Sequence, residues 1–504
     1  MRAAYRGPTK GLSPARRLLA PFLIASLPFA IACCSHSWTG IGGADATSPA
    51  PGVPWTAPPR ILPDREPAAG PDIPAALSAP EAVWTLGDAV DIALRNSPRT
   101  REAWLAARAA AAEYGSSKGD YLPDLDLHAD FTRRRQVGLS GSDPITLRTY
   151  GASLNLSWLI FDFGGREASV AESRYALIAA DFEHSAAIQE LILDVERAYF
   201  EHAAANALLA AQQASVEEAQ AGLDAADARH AAGLATIADV LQARTALSQA
   251  RLAFEQAQGT LAAARGRLAT AMGLSVNAAL PIAPEDDEHF AEADLEEVAA
   301  YLRSAEAIRP DLAAARARAE QIHANVGVVK ARGRPQIRAE GSAGRLYVDS
   351  SDDEQDTYTA TLQFDLPLFT GFSQHYDVRR AEALAEAERA RLAALEQDAA
   401  LQVWTSYHDA QTARQRLRTS EDLLESATEN QQVAAGRYQA GVGTILDLVT
   451  AQAALQEARA TVVQARADWR IALAELAYSG GTLTLPPRSP GPSTNAPSQG
   501  GADQ

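Results

Sequence analysis

One stretch of this chain occurs twice at a fixed separation. Arg229-His-Ala-Ala-Gly233-Leu-Ala-Thr236-Ile-Ala-Asp239 returns as Arg437-Tyr-Gln-Ala-Gly441-Val-Gly-Thr444-Ile-Leu-Asp447, each residue 208 positions from its counterpart. In each copy a glycine (Gly233, Gly441) ends one helix. A threonine three residues on (Thr236, Thr444) caps the next, with an aspartate (Asp239, Asp447) placed to complete a capping box. A doubled hairpin tip requires two copies of one long unit. Other landmarks pair in the same order: Pro98 with Pro310 and Pro123 with Pro335 at a spacing of 212, then Phe161 with Phe369 at 208. The first copy therefore holds four extra residues between its strands.

Before each tip runs a long stretch without proline, about 166–232 and 373–440, rich in Ala, Leu, Arg, Glu and Gln. At ~1.5 Å per residue each is a helix of about 100 Å. Aromatic residues are only 6% of a chain that is 47% hydrophobic, so helix packs on helix through small side chains. One hairpin of such rods cannot cover its own apolar stripe, which implies lateral packing against further copies.

Between the landmarks lie alternating segments. Asp124-Leu-Asp-Leu-His-Ala-Asp-Phe131 places Leu125, Leu127, Ala129 and Phe131 on one face and Asp124, Asp126, His128 and Asp130 on the other. A second strand sets Ala152, Leu154, Leu156 and Trp158 against Ser153, Asn155 and Ser157, and a fourth sets Tyr358 to Leu366 against Thr357 to Asp365. The third, from Gln336 to Ala343, follows the same parity more weakly. One face suits lipid and the other water, and such lengths fit a tilted bilayer crossing of ~10 residues. A soluble sandwich would alternate as well. Four strands cannot close a barrel, however, and an open edge is intolerable in lipid, so a membrane reading needs several chains to share one barrel. Three chains of four strands would supply an even, known strand number. Tyr150, Trp158 and Tyr347 stand where interfacial aromatics belong.

The N-terminus reads as an export signal, basic from Met1 to Arg17 and apolar from Leu18 to Ala32. The only two cysteines, Cys33 and Cys34, are adjacent and cannot staple a distant loop. Ala30-Ile31-Ala32-Cys33 resembles a bacterial lipobox, which implies a covalent lipid on Cys33, with Cys34 as the alternative anchor. The resulting organisation is a signal peptide over 1–32, a lipidated terminus and Pro-rich tether over 33–83, and a first repeat over 84–274. An inter-repeat segment over 275–300, a second repeat over 301–480 and a disordered tail over 481–504 complete it.

The duplicated helix-strand-strand-helix unit, the Phe161-Asp-Phe-Gly-Gly165-Arg166 turn with its counterpart Leu368-Phe-Thr-Gly371, and the two tips resemble the TolC-like outer-membrane efflux proteins. The acylatable Cys33 and its tether resemble the lipoprotein branch that serves RND pumps. The resemblance covers about residues 84–480. It implies a mainly α fold with a β-barrel portion: a homotrimer whose four strands per chain form a 12-stranded outer-membrane barrel continuous with a periplasmic α-helical barrel. It implies a passive exit duct for small molecules, working with an inner-membrane pump and a periplasmic adaptor (a membrane fusion protein), and contacting outer-membrane lipid. The tips, with Arg229, Gly233, Thr236, Asp239, Arg437, Gly441, Thr444 and Asp447, would meet the adaptor. Asp447 and Tyr438 match the family's aperture residues, whereas Gly443 and Thr450 stand where the family has an arginine and a second aspartate. A three-fold ring of Asp447 would bind cations or raise its own pKa.

Enzyme chemistry finds no foothold. The nine histidines are scattered, no cysteine cluster lies beyond the signal boundary, and there is no phosphate-binding loop or nucleophile elbow. With a net charge of −18, nucleic acid is excluded as a partner. Glu217 and Glu218 read as solvated surface. Two other readings stay open: a duct of type I protein secretion, and a lipid-anchored periplasmic coiled-coil scaffold without a pore.

Overall fold

The structure is a computed structural model, and it describes residues 70–75, 77–78, 83–136, 145–282, 295–348 and 354–483. The chain divides into Met1–Gly70 and Pro71–Gln504, and every helix and strand among the described residues belongs to the second unit. The signal peptide, Cys33, Cys34 and most of the tether and tail lie outside the described residues.

Both copies run through the same elements. The first comprises α1 (Leu86–Asn96), α2 (Pro98–Gly119), β1 (Asp124–Gln136), β2 (Ile145–Phe161), α3 (Gly165–Ala231) and α4 (Ile237–Ala271). The second comprises α5 (Val298–Ile308), α6 (Pro310–Ala331), β3 (Gln336–Val348), β4 (Glu354–Asp365), α7 (Ser373–Gln439) and α8 (Ile445–Ser479). Pro98 and Pro310 do not end helices; they open α2 and α6 at the first turn, where a missing N–H costs nothing.

The rods α3 and α7 are each 67 residues long, and the return helices α4 and α8 each 35. Their buried residues recur every seven positions: Ala198, Ala205, Gln212, Ala219 and Ala226 on α3, and Ala243, Ala250, Ala257 and Ala264 on α4. On α7 the series is Ala399, Ser406, Ala413, Ser420, Ala427 and Ala434; on α8 it is Ala451, Ala458, Ala465 and Ala472 beside Leu448, Leu455, Val462, Trp469 and Leu476. A seven-residue repeat imposes a left-handed supercoil, and small residues along it bring the helix axes close. α3 meets α6 near its start, through Asn325 and Glu172, and α4 near its end, through Arg251 and Gln220. It also meets α8 through Arg197 and Glu475. Glu218 is not free surface: it accepts a 2.8 Å bond from Arg459 on α8, while Glu217 remains exposed.

The main core joins α1, α3, α4 and α8 around Trp84, Ile92, Val195, Leu268 and Met272. Two segments expected to be extended belong to it. Ile73 and Leu77 pack against this core, and Asp72 and Asn96 exchange bonds of 2.7 and 3.0 Å. At the other end Leu483 is buried in the same cluster. Apolar side chains in otherwise Pro- and Ser-rich stretches hold these ends down.

Candidate functional site: the hairpin tips and the sheet

At each tip the chain reverses by the same hydrogen bonds. Gly233 N–H donates to His230 O and Leu234 N–H to Arg229 O; Gly441 and Val442 repeat this toward Tyr438 and Arg437. This is a Schellman closure, and it requires the positive φ of 73° and 77° at the two glycines. The return helices start with full capping boxes. Thr236 N–H donates to Asp239 Oδ2 at 2.7 Å and Asp239 N–H to Thr236 Oγ1 at 3.3 Å; the Thr444 and Asp447 distances are 3.1 and 3.2 Å. The Thr444 backbone N–H and then its hydroxyl hold the exposed Asp447 carboxyl below the usual carboxylate range.

Arg229 joins the two tips. Its Nη1 donates to the Tyr438 carbonyl at 2.6 Å and its guanidinium lies 4.9 Å from the centre of the Tyr438 ring. Tyr438 is only 3% exposed, packed with Val240, Leu247, Ile445 and Leu448. Burial pushes its phenol pKa up, against the opposing effect of Arg229. Tyr438 and Asp447, paired by the resemblance, are thus separated in this chain: the aspartate caps at the surface and the tyrosine is a core residue beneath Arg229. Gly443 has its own steric reason. A Cβ there would stand 3.1 Å from both Arg437 Cβ and Tyr438 N. Sequence reasoning missed the exposed apolar studs beside the caps, Leu234, Ile237, Val442 and Leu446. Their signal is large aliphatic residues in a turn (Leu234, Val442) and in the first turn of the helix that follows it (Ile237, Leu446), where capping needs none.

The four strands form one antiparallel sheet in the order β1-β2-β3-β4, with β1 and β4 as edges. Register carries the alternation across every strand. Leu127 faces Leu154, which faces Ala343, which faces Tyr358, whereas Asp126, Asn155, Ser342 and Thr359 share the other side. The apolar face is bare in one chain: Leu127 is 77% exposed and Tyr358 88%. Tyr150 and Tyr347 stack at 5.1 Å near the loop end, and Trp158 Nε1 donates to Tyr121 O at the helix end. There Arg166 fastens the junction, donating to the carbonyls of Asp120 and Ile160 and resting on the Tyr121 ring.

No helix among the described residues is long and apolar enough to cross a membrane, and none of their acidic, His or Cys side chains group as a metal site.

The sequence model of the family described as "Outer membrane efflux protein" matches residues 89–274 and 301–482, one match per copy. Protein CyaE of Bordetella pertussis is 32% identical over 406 residues, covering 78% of this chain and 83% of that protein. The toluene efflux pump outer membrane protein TtgC of Pseudomonas putida is 25% identical over 414 residues, 79% and 84% of the respective chains. Among solved structures, the outer-membrane channel OprN superposes with a TM-score of 0.71 at 22% identity, over 84% of this chain and 99% of that one. VceC from Vibrio cholerae gives 0.68 at 23%, over 79% and 96%. These relatives are channel proteins rather than enzymes. A sheet with one lipid-compatible face, paired rods and doubled tips are together the architecture of an outer-membrane channel reaching into the periplasm, and the chain belongs to the outer membrane efflux protein family.

Proposed function

We propose that this chain is the passive exit duct of a tripartite efflux system, carrying small molecules across the outer membrane from an inner-membrane pump and a periplasmic adaptor. The observation that supports it best is the unfinished sheet. Among the described residues its edges β1 and β4 lack partners, and its outward face is bare. A homotrimer joining β4 of one copy to β1 of the next would close a barrel of twelve strands, with Asp126, Asn155 and Thr359 lining its water-filled side. The apolar residues left bare on the rods, Leu401 and Trp404 on α7 and Leu252 on α4, would be covered by the neighbouring copies.

Within this reading the two tips form the periplasmic mouth. Leu234, Ile237, Val442 and Leu446 offer apolar contacts to the adaptor, and Asp447 from each copy faces the aperture. Lipid on Cys33, with Cys34 as the alternative, adds an anchor that a tether of this length accommodates. Efflux as the task is supported by relatives named for export of toluene, antibiotics and pyoverdine.

The test is copurification from crosslinked membranes. A drug-type pump with its adaptor, and sensitisation of the host to several small toxic compounds on deletion, are expected. Copurification with a transporter dedicated to one secreted polypeptide would replace small-molecule efflux by polypeptide secretion. A monomer washed from membranes by salt would overturn the duct itself.

A further inference from the structure

Toward the tips the four long helices stand in a row. α4 meets α3 through Arg251 and Gln220, α3 meets α8 through Glu218 and Arg459, and α8 meets α7 through Asp468 and Arg416. α4 and α7 are the two ends of that row. On α4 an exposed stripe runs through Leu241, Arg244, Ser248, Arg251, Leu252 and Glu255, opposite the buried series Ala243, Ala250 and Ala257. On α7 the exposed stripe holds Arg418, Asp422, Glu425, Glu429 and Val433, with Leu423 at its border, opposite Ser420, Ala427 and Ala434. Within each stripe the spacings are three, four and seven positions, so its members share one side of their helix. Among the described residues Arg244, Glu255, Arg418, Glu425 and Glu429 have no ion pair or side-chain hydrogen bond.

Height along the rods decides which of these groups can meet. Arg229 and Tyr438, in the last turns of α3 and α7, touch, so both hairpins end at the same level. Turning one copy onto the next about an axis along the rods keeps every residue at its level. Arg251 lies fourteen positions beyond the start of α4, and Glu425 fourteen before the end of α7. Arg244 and Glu429 differ in level by three positions, as do Glu255 and Arg418, which is ~4.5 Å at ~1.5 Å per residue and within reach of long side chains. Leu252 and Leu423 differ by one position. The match is lost on sliding. Moving α4 by one heptad sets Arg251 against Arg418 in one direction and Glu255 against Glu429 in the other, like charge against like.

We propose that copies of this chain join along α4 and α7, with Arg244, Arg251 and Glu255 of one copy pairing with Glu429, Glu425 and Arg418 of the next, and that this ladder levels the three tips. It rests on the trimeric duct proposed above and adds the seam and its register. A head-to-tail joint of this kind closes a ring. Charges flanking a helix seam choose partner and register more than they add affinity.

The full-length protein carrying L252C/L423C is oxidised in its membranes and run under denaturing, non-reducing conditions. Covalent trimers are expected from this pair and from neither single variant. None are expected from L252C/V433C, whose positions differ in level by ~13 Å, too far for a disulfide. R251E is expected to lower the trimer counted by native mass spectrometry ~3-fold or more, and R251E/E425R to restore it. A trimer that crosslinks through neither pair, or equally through both, overturns the ladder and leaves the duct standing. R251E/E425R no better than R251E overturns the charge pairing. A chain that stays monomeric overturns the duct reading and the ladder with it.

Discussion

Arg229, on the first hairpin tip, donates a 2.6 Å hydrogen bond to the main-chain carbonyl of Tyr438 on the second and covers that tyrosine's ring. The contact ties one copy of the repeat to the other through two residues 209 positions apart in sequence. Arg229→Ala is expected to leave the rods folded and to loosen the tips. A charge-assisted bond of this kind contributes about 1.5–3 kcal/mol. Hydrogen exchange should therefore quicken at 436–448 while protection around Leu268 and Trp469 stays as it was. Exchange that is unchanged at both places would show the contact to be energetically idle.

The capping boxes predict a symmetric cost and an asymmetric function. Thr236→Ala and Thr444→Ala should each lower the stability of their tip by about 1 kcal/mol. Asp447 titrates below its ordinary 3.8 in the folded chain, so its contribution is present above that pH and is lost as pH falls through the folded value. Asp447→Ala is expected to alter single-channel conductance and its block by divalent cations in planar bilayers. Asp239→Ala, which changes only a cap, should alter neither. Identical traces for the parent and Asp447→Ala would remove Asp447 from the aperture.

Burial pushes the Glu196 carboxyl on α3 up to about 7, from 4.5. The folded chain then holds this proton more tightly than the unfolded one. Glu196 is accommodated fully below about pH 4.5, and stability is lost as pH rises through 7. Glu196→Gln should accordingly be more stable than the parent near pH 8, by on the order of 1–3 kcal/mol, with the difference closing near pH 4, as followed by thermal unfolding. A gap of the same size at both pH values would assign the effect to packing instead.

The two faces of the sheet should tolerate charge differently. Leu127→Arg, in the middle of the outward face, is expected to cost about 2–4 kcal/mol of membrane stability. Asn155→Arg, opposite Asp126 on the other face, should insert as well as the parent. The fraction of chain showing heat-modifiable migration after folding into vesicles reads both. Equal loss in the two variants would mean that the faces have been assigned the wrong way round.

Much of this architecture is legible in sequence because the signals are periodic. The lack of proline and a composition of Ala, Leu, Arg, Glu and Gln mark the rods to within a residue or two, and strict alternation marks β1, β2 and β4. Pro98 is legible as a landmark of the repeat, but the break beside it is a local capping event: Ser97 ends α1 and caps the helix that Pro98 opens. The turns before the rods are legible only in part. Phe163 and Gly164 have positive φ in one copy and Gly371 and Phe372 in the other, so the same backbone is built with the phenylalanine and glycine exchanged. What sequence cannot disclose is docking between distant segments. Sequence places Arg229 among the adaptor-contacting tip residues and Tyr438 at the aperture, but it does not disclose that the Arg229 guanidinium lies over the Tyr438 ring.

The open edges of the sheet also bear on how such a chain matures. Among the described residues of a solitary copy, two rows of backbone donors and acceptors on β1 and β4 are unanswered, so its strands have no stable resting state in lipid and no reason to enter one alone. In the proposed trimer, completion becomes a matter of mass action: membrane entry waits upon the meeting of copies. The helical hairpins, which bury Ala and Leu seams within a single chain, are free to form first and hold the strands in register for that meeting.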